Sequence, residues 1–293
     1  MFVQTNTVSS VKKYIKEKLE NHFSDSEIKM MSNEFLKKRL KLSHSDLIAS
    51  SDILVTESDL LYFRSCVKRL LSEEPFQHIV GTTFFYGLEF KVDTRALIPR
   101  PETEELVDWI VSDYKEQSNL RIVDLCTGSG CVAISLKSIL NDASIEAIDY
   151  SLDALGLAKE NSNYTNLTVQ FRHLDVLIED AFSPKLFIEE SYDCWVSNPP
   201  YIPNSDKAKM SRNVLDFEPE MALFVSDTEP LIFYSKIAKD ALRFLKSKGH
   251  LYFEIHEDLA KEVVELLSEL DYTSIEVKKD LQGKDRMVKA VKR

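Results

Sequence analysis

The apolar run Tyr192-Asp193-Cys194-Trp195-Val196-Ser197 reads as a core strand and stops abruptly at Asn198-Pro199-Pro200-Tyr201. Each proline fixes its own φ, lacks an N–H donor and holds the residue before it extended. What remains is a stiff row of acceptors, drawn from the Asn198 side-chain oxygen and the carbonyls of Ser197, Asn198 and Pro199, with the Tyr201 ring as a flat wall. Such a row suits a planar NH₂ group, both of whose hydrogens can be held. An amide or aniline-type nitrogen is a poor nucleophile because its lone pair is delocalised. Acceptors that favour a pyramidal nitrogen bind it most strongly in the transition state, where binding accelerates the reaction. Asn198, Pro199, Pro200 and Tyr201 are therefore the candidate catalytic and substrate-binding residues. The plainer alternative is a strand that simply ends in prolines.

A second chemical signal lies upstream. Ile122–Ile134 reads as a strand, a tight glycine turn and a helix start, with Asp124-Leu125-Cys126-Thr127-Gly128-Ser129-Gly130 at its centre. Gly128 and Gly130 let the backbone approach a ligand, and the helix that follows offers free N–H groups. About 20 residues on, Asp149 closes the next strand with a carboxylate suited to the two hydroxyls of a ribose. The loop lacks the GxGxxG spacing of a pyrophosphate binder, which favours S-adenosyl-L-methionine over a dinucleotide. A purely structural turn is the other alternative. Asp175, just after the third strand, is placed to accept the exocyclic amine of adenine or to cap a helix. Next to such a donor of methyl groups, the acceptor row at Asn198 would aim its nitrogen at an electrophilic carbon.

These residues need a scaffold that brings strand ends together. From residue 120 onward strand and helix patterns alternate: strands at Arg121–Leu125, Ser144–Asp149, Leu167–Arg172, Asp193–Ser197 and His250–Glu254, with helices between them. Two further strands, Ser274–Lys278 and Met287–Val291, close the chain. This alternation predicts an α/β fold with a mostly parallel sheet covered on both faces. Residues 1–75 lack strand alternation; Val11, Tyr14, Ile15, Leu19 and Phe23 recur at helical spacing, as do Met30, Met31, Phe35, Leu36 and Leu40, with Ser/Asp caps between segments. Residues 76–97, rich in aromatic and β-branched side chains and broken at Gly81 and Gly87, predict a hairpin connector. The division expected is a helical domain at 1–75, a connector at 76–97 and a catalytic domain at 98–293. Pro101 suits the first turn of a helix, and Glu102, Glu104 and Glu105 suit its dipole.

Composition narrows the partners. With 44% hydrophobic and 29% charged residues among 293, the chain reads as an ordinary globular protein. The net charge of −11 argues against a duplex DNA binder relying on a broad basic surface. Cys66, Cys126, Cys131 and Cys194 form no CxxC pair and the six histidines are scattered, so no metal is expected and the thiols read as reduced. With no signal segment and no membrane-length apolar run, the sequence reads as cytoplasmic, without direct nucleic-acid or membrane contact.

Taken together, the helical N-terminus, FYGLEFKVD leading into ALIPRPETEELV, DLCTGSGCVAISL, AIDYS, SNPPYIP, FEPEMALF and KKDLQGKDRMV resemble the PrmC/HemK family, the peptide chain release factor N5-glutamine methyltransferases. NPPY and the glycine loop are shared with adenine-N6 methyltransferases, whereas IPRPETE and DLQGKDR are more specific to the glutamine enzymes. The resemblance implies a small helical domain joined by a hairpin to a Rossmann-like S-adenosyl-methionine-dependent domain. It implies that Cys126, Thr127, Gly128, Ser129, Gly130 and Asp149 contact the cofactor, that Asn198 borders it, and that Asn198–Tyr201 hold a glutamine amide. The substrate implied is the GGQ-loop glutamine of class 1 release factors, with the N-terminal bundle recognising that partner; the chain is expected to act as a monomer. Val176 stands where many relatives carry an aromatic residue after the acid, so adenine would meet an aliphatic side chain there. Glu254-Ile255-His256-Glu257 likewise departs from the EIGxxQ-like turn of many relatives. Two rivals share these features: an adenine-N6 nucleic-acid methyltransferase, and a non-catalytic release-factor-binding module.

Overall fold

The computed structural model of the chain describes residues 5–49, 52–179, 181–183 and 187–293. They fall into two compact units, one running to Gly81 and taking in Ser211–Phe217, the other holding Thr82–Met210 and Glu218–Arg293.

The first unit is helical: α1 (Val8–Leu19), α2 (Asp25–Leu40), α3 (His44–Ala49), α4 (Glu57–Leu71) and α5 (Phe76–Val80). Thr7, Ser24 and Thr56 cap α1, α2 and α4, the latter two in reciprocal capping boxes with Glu27 and Asp59. The apolar spacing read from the sequence becomes a core of Val11, Ile15, Leu19, Phe35, Leu36 and Phe63, all buried. Residues 77–80 depart from the strand-like reading. They form a helical turn that buries Ile79 and Val80 in this core and ends where Gly81 adopts a left-handed φ of +76°. Tertiary burial here overrides local β-propensity.

The second unit begins with a hairpin, β1 (Thr82–Phe85) and β2 (Leu88–Lys91), turned through Gly87 at φ +77°. There follow α6 (Pro101–Tyr114), β3 (Arg121–Leu125), α7 (Cys131–Ile139), β4 (Ser144–Asp149), α8 (Leu152–Thr165), β5 (Gln170–His173) and β6 (Tyr192–Ser197). A short parallel pair, β7 (Ile202–Pro203) and β8 (Phe224–Val225), lies beyond; α9 (Arg212–Leu215), which falls between them in sequence, is grouped with the first unit. The chain closes with α10 (Ile232–Phe244), β9 (Leu245–Glu254), α11 (Ala260–Glu269), β10 (Thr273–Lys279) and β11 (Asp285–Val291).

Among the described residues a seven-stranded sheet runs in the order β10-β11-β9-β6-β3-β4-β5. Strands β9, β6, β3, β4 and β5 are parallel, and β11 and β10 are added antiparallel at one edge. Both faces are covered, because successive residues of the central strands point to opposite sides. Trp195 packs with Tyr234, Phe244 and Phe253 on one face, while Cys194 and Val196 pack with Leu106, Ile110 and Leu136 on the other. The fold is the doubly wound α/β architecture that strand–helix alternation predicts. From β3 the chain proceeds outward to β4 and β5, then crosses back to β6 on β3's other side. The C-terminal ends of β3, β4 and β6 therefore flank a topological switch point, where open α/β sheets bind ligands. Among the described residues no helix is long and apolar enough to cross a membrane.

Candidate active site

A cavity of about 380 Å³ opens at that switch point, within the range of cofactor and small-molecule sites. The structure brings most of the sequence-predicted residues to its wall: Cys126, Thr127, Gly128 and Ser129 after β3, Asp149 at the end of β4, Asp175 and Val176 after β5, and Asn198 and Pro200 after β6. Gly130, Pro199 and Tyr201 do not line it. The aromatic rings on the wall come from Tyr150 and Phe233, while Val176 contributes a buried aliphatic surface.

The loop after β3 is built for close approach. Cys126 takes a left-handed φ of +59°, unusual for a residue with a Cβ. The chain then turns so that the Thr127 N–H bonds the Ile148 carbonyl at 3.0 Å and the Gly130 N–H bonds the Thr127 carbonyl at 2.9 Å. The two glycines serve different ends. A Cβ on Gly130 would stand 3.1 Å from Ala158 Cβ and Ile134 Cδ1, so its absence lets α7 and α8 pack. A Cβ on Gly128 would meet nothing within 4 Å; at φ +56° this residue leaves open space against the cavity. Ser129 Oγ is buried there without a hydrogen-bond partner. An open backbone cradle and an orphaned hydroxyl at a helix start fit a bound ligand rather than a plain turn.

Asp149 carries two loads. Its Oδ2 accepts the Gly128 N–H and its Oδ1 the Ser151 N–H, each at 2.8 Å. Burial pushes its carboxyl above the ordinary aspartate range, and those backbone donors pull it back. Asp149 lines the cavity, and a carboxylate has about four lone-pair sites, so acceptor capacity remains beside these backbone donors for ribose hydroxyls. Asp175 Oδ1 accepts the Leu177 N–H at 2.9 Å, closing a turn at the cavity wall.

Asp124, buried beneath the loop, accepts Thr127 Oγ1 at 2.6 Å and the Ala133 N–H at 3.2 Å. Burial raises its carboxyl to about 7, against 3.8 for an ordinary aspartate. A raised carboxyl pKa means that folding costs nothing extra below pH 4, where both states are protonated. The cost grows between pH 4 and 7 and is constant above. Asp124→Asn removes that ionisation. In the ligand-free chain its melting temperature should gain on the parent's progressively between pH 4 and 7, with no further change outside that window. A difference independent of pH in thermal melts would show that Asp124 does not titrate in this window.

Asn198 is held from behind. Its Nδ2 donates to Thr103 Oγ1 at 3.3 Å, and Thr103 Oγ1 donates to Glu254 Oε2 at 2.6 Å. Tyr201 does not form the flat wall over the cavity that its sequence position suggests. Its hydroxyl is drawn to Glu254 Oε1 at 3.0 Å, and its ring meets His256 edge-on. Burial raises the Glu254 carboxyl; Thr103, Tyr201 and the Arg286 guanidinium oppose the shift. Arg286 is fixed in turn by Asp280, which also accepts the N–H groups of Gln282 and Lys284. The DLQGKDR segment thus has a physical role, since its tight turn places a cation beside the buried Glu254 and its half-buried partner Tyr201.

Sequence reasoning missed four residues that shape this site. Thr103 and Glu254 are two. Asn161, fully buried on α8, donates to the Ser129 carbonyl at 3.0 Å and pairs with both backbone groups of Lys91, tying the hairpin to the loop. Glu218, buried before Pro219, accepts the Ile98 N–H and Arg100 Nη2 and so fixes the Pro99–Arg100 edge of the cavity. The signals were present in PETE, FEPE and the helix polar face, but nothing local distinguishes such residues from exposed ones. Among the described residues no group of three His, Cys, Asp or Glu is placed to hold a metal ion.

Comparison with known proteins gives this geometry its family. Residues 12–81 match the model of the PrmC N-terminal domain, and residues 105–216 that of the methyltransferase small domain. The chain is 40% identical over 274 residues to the release factor glutamine methyltransferase of Flavobacterium psychrophilum, covering 92% of this chain and 94% of that protein. It is 38% identical over 277 residues to that of Bacteroides thetaiotaomicron, covering 94% and 97%. The chain belongs to the release factor glutamine methyltransferases. As a member of this family it is an enzyme of the S-adenosyl-methionine-dependent methyltransferase class. Its fold is also similar to that of a methyltransferase from Pyrococcus furiosus, with a TM-score of 0.51 at 13% identity over 81% of this chain and 99% of that one.

Proposed function

We propose that this release factor glutamine methyltransferase methylates the side-chain amide nitrogen of the glutamine in the GGQ loop of class 1 peptide chain release factors. The observation that carries the reading is that Asn198 and the glycine loop share one cavity, with the Asn198 amide nitrogen already engaged on Thr103 and its oxygen left to accept. S-adenosyl-methionine, when bound, supplies an electrophilic methyl group. Gly128, Ser129 and Asp149 would hold it through the open backbone, the orphaned hydroxyl and the carboxylate; Val176 and the aromatic rings of Tyr150 and Phe233 would face its apolar parts.

The chain's remaining work concerns the carboxamide. Asn198 Oδ1 accepts one N–H hydrogen of the substrate glutamine, and the carbonyl row stiffened by Pro199 and Pro200 accepts the other. These bonds orient the nitrogen and strengthen as it pyramidalises, which lowers the barrier without a strong base. The proton leaves afterward to water. Glutamine is small, so choice of partner requires a wider surface, and we assign that to the N-terminal helical unit.

The test is mass spectrometry of the GGQ peptide after incubation of purified release factor with enzyme and cofactor, with DNA and RNA as parallel substrates. One added methyl on the glutamine is the expected result. Methylated nucleic acid beside unmodified release factor would overturn the reading in favour of an adenine enzyme.

A further inference from the structure

The hydroxyl of Thr103 has one proton, and that proton is committed. At 2.6 Å from Glu254 Oε2 it donates to a carboxylate whose other oxygen is taken by Tyr201. Only lone pairs are left to face Asn198, and they accept its Nδ2 at 3.3 Å. This matters because an asparagine carboxamide rotates by half a turn with little intrinsic preference. In one orientation it presents an oxygen to the cavity; in the other it presents an NH₂, which would confront the substrate's own NH₂ donor to donor. Something must choose between them.

We infer that Thr103 and Glu254 are positioning residues that fix the polarity of the Asn198 carboxamide, turning its oxygen toward the substrate amide. The inference rests on the clamp role of Asn198 given above. Thr103 is built in place rather than merely near. It lies in the first turn of α6 behind Pro101, is 2% exposed, and bonds the Arg100 carbonyl through its own N–H at 3.1 Å. Glu254 is the last residue of β9, two strands from β3, and is equally buried. The relay joins residues 95 and 151 positions apart in sequence, so neither local helix nor local strand stability calls for it.

Thr103→Val keeps the shape and removes both the proton and the acceptor. Its kcat should fall about tenfold, the kinetic equivalent of one hydrogen bond, with KM for the release factor changed less than about threefold. Thr103→Ser, which restores the hydroxyl, should recover to within about threefold of the parent. Glu254→Gln provides a variant of the same size whose amide can donate to Thr103, reversing the hydroxyl and inviting the wrong Asn198 orientation. It too should lose about tenfold in kcat.

A readout independent of turnover is the Asn198 side-chain NH₂ signal in nitrogen-15 NMR, assigned by its loss in Asn198→Ala. One of its protons should be protected from exchange in the parent and in Thr103→Ser, and unprotected in Thr103→Val. Thermal melts and calorimetry with S-adenosyl-homocysteine check that each variant folds and binds. If Thr103→Val fails to fold, Glu254→Gln and Thr103→Ser decide. Full kcat in Glu254→Gln, or a Thr103→Ser variant no better than Thr103→Val, overturns the positioning role. Full turnover by Asn198→Ala would instead remove the clamp itself, so the two failures are distinguishable.

Discussion

Asn198→Ala is expected to lower turnover on the release factor by about 10²–10³, the usual loss on removing one preorganised polar contact to the reacting group. Affinity for S-adenosyl-homocysteine, followed by calorimetry, should change little, because the loop after β3 and Asp149 are untouched. The loss belongs in kcat rather than KM, since the contact is strongest once the amide nitrogen pyramidalises. Asp does not substitute. Its second oxygen would face Thr103 lone pairs, because the Thr103 proton is held by Glu254, and a partly buried carboxylate would be left without a donor. Asn198→Asp should therefore be about as inactive as Asn198→Ala, although it retains an acceptor oxygen in place of Asn198 Oδ1. A single-turnover assay with labelled cofactor distinguishes these outcomes. Turnover within a few fold of the parent in Asn198→Ala would refute the amide clamp.

The contrast between Asn198 and its supports shows how far local sequence reaches. Strand, glycine turn, helix and terminal acid are encoded within a few residues of one another, so β3 with its loop, Asp149 and β6 with its Asn-Pro-Pro could be placed at one sheet edge from their order alone. Element ends moved by a residue or a few: β9 begins at Leu245 where the apolar pattern suggested His250. Thr103 and Glu254 could not be placed in this way. In sequence one is a polar residue in a helix N-terminus and the other an acid at a strand end, both ordinary on a surface. Only tertiary packing buries them and makes their hydrogen bonds obligatory. Tyr201 shows the same limit in reverse, because a ring beside two prolines invites a role at the cavity until Glu254 is seen to claim its hydroxyl. Residues 77–80 fail for a different reason. Their β-branched composition is genuine, but Ile79 and Val80 are needed in the helical core and Gly81 ends the turn.

Asp149→Ala should weaken binding of S-adenosyl-homocysteine about 100-fold. Two hydrogen bonds from ribose hydroxyls to a charged acceptor contribute about 1.5 kcal/mol each at the low end, or about 3 kcal/mol together, and about 1.36 kcal/mol is a factor of ten. The same carboxylate holds the Gly128 and Ser151 N–H groups, so the variant should also melt at a lower temperature without ligand. Asparagine offers no milder route. With one oxygen it can accept from Gly128 or from Ser151, and its NH₂ then meets the other N–H donor to donor. Glutamate pushes the carboxylate into space the ribose would fill. Acidification should imitate the alanine variant in the parent, because only the ionised form accepts both hydroxyls and burial has moved this carboxyl above the usual range. Calorimetric titrations over a descending pH series would therefore show affinity falling as this carboxyl protonates in the parent and little pH dependence from this source in Asp149→Ala. Retention of parental affinity by Asp149→Ala at pH 8 would take the carboxylate out of the cofactor site and leave it only to hold the loop.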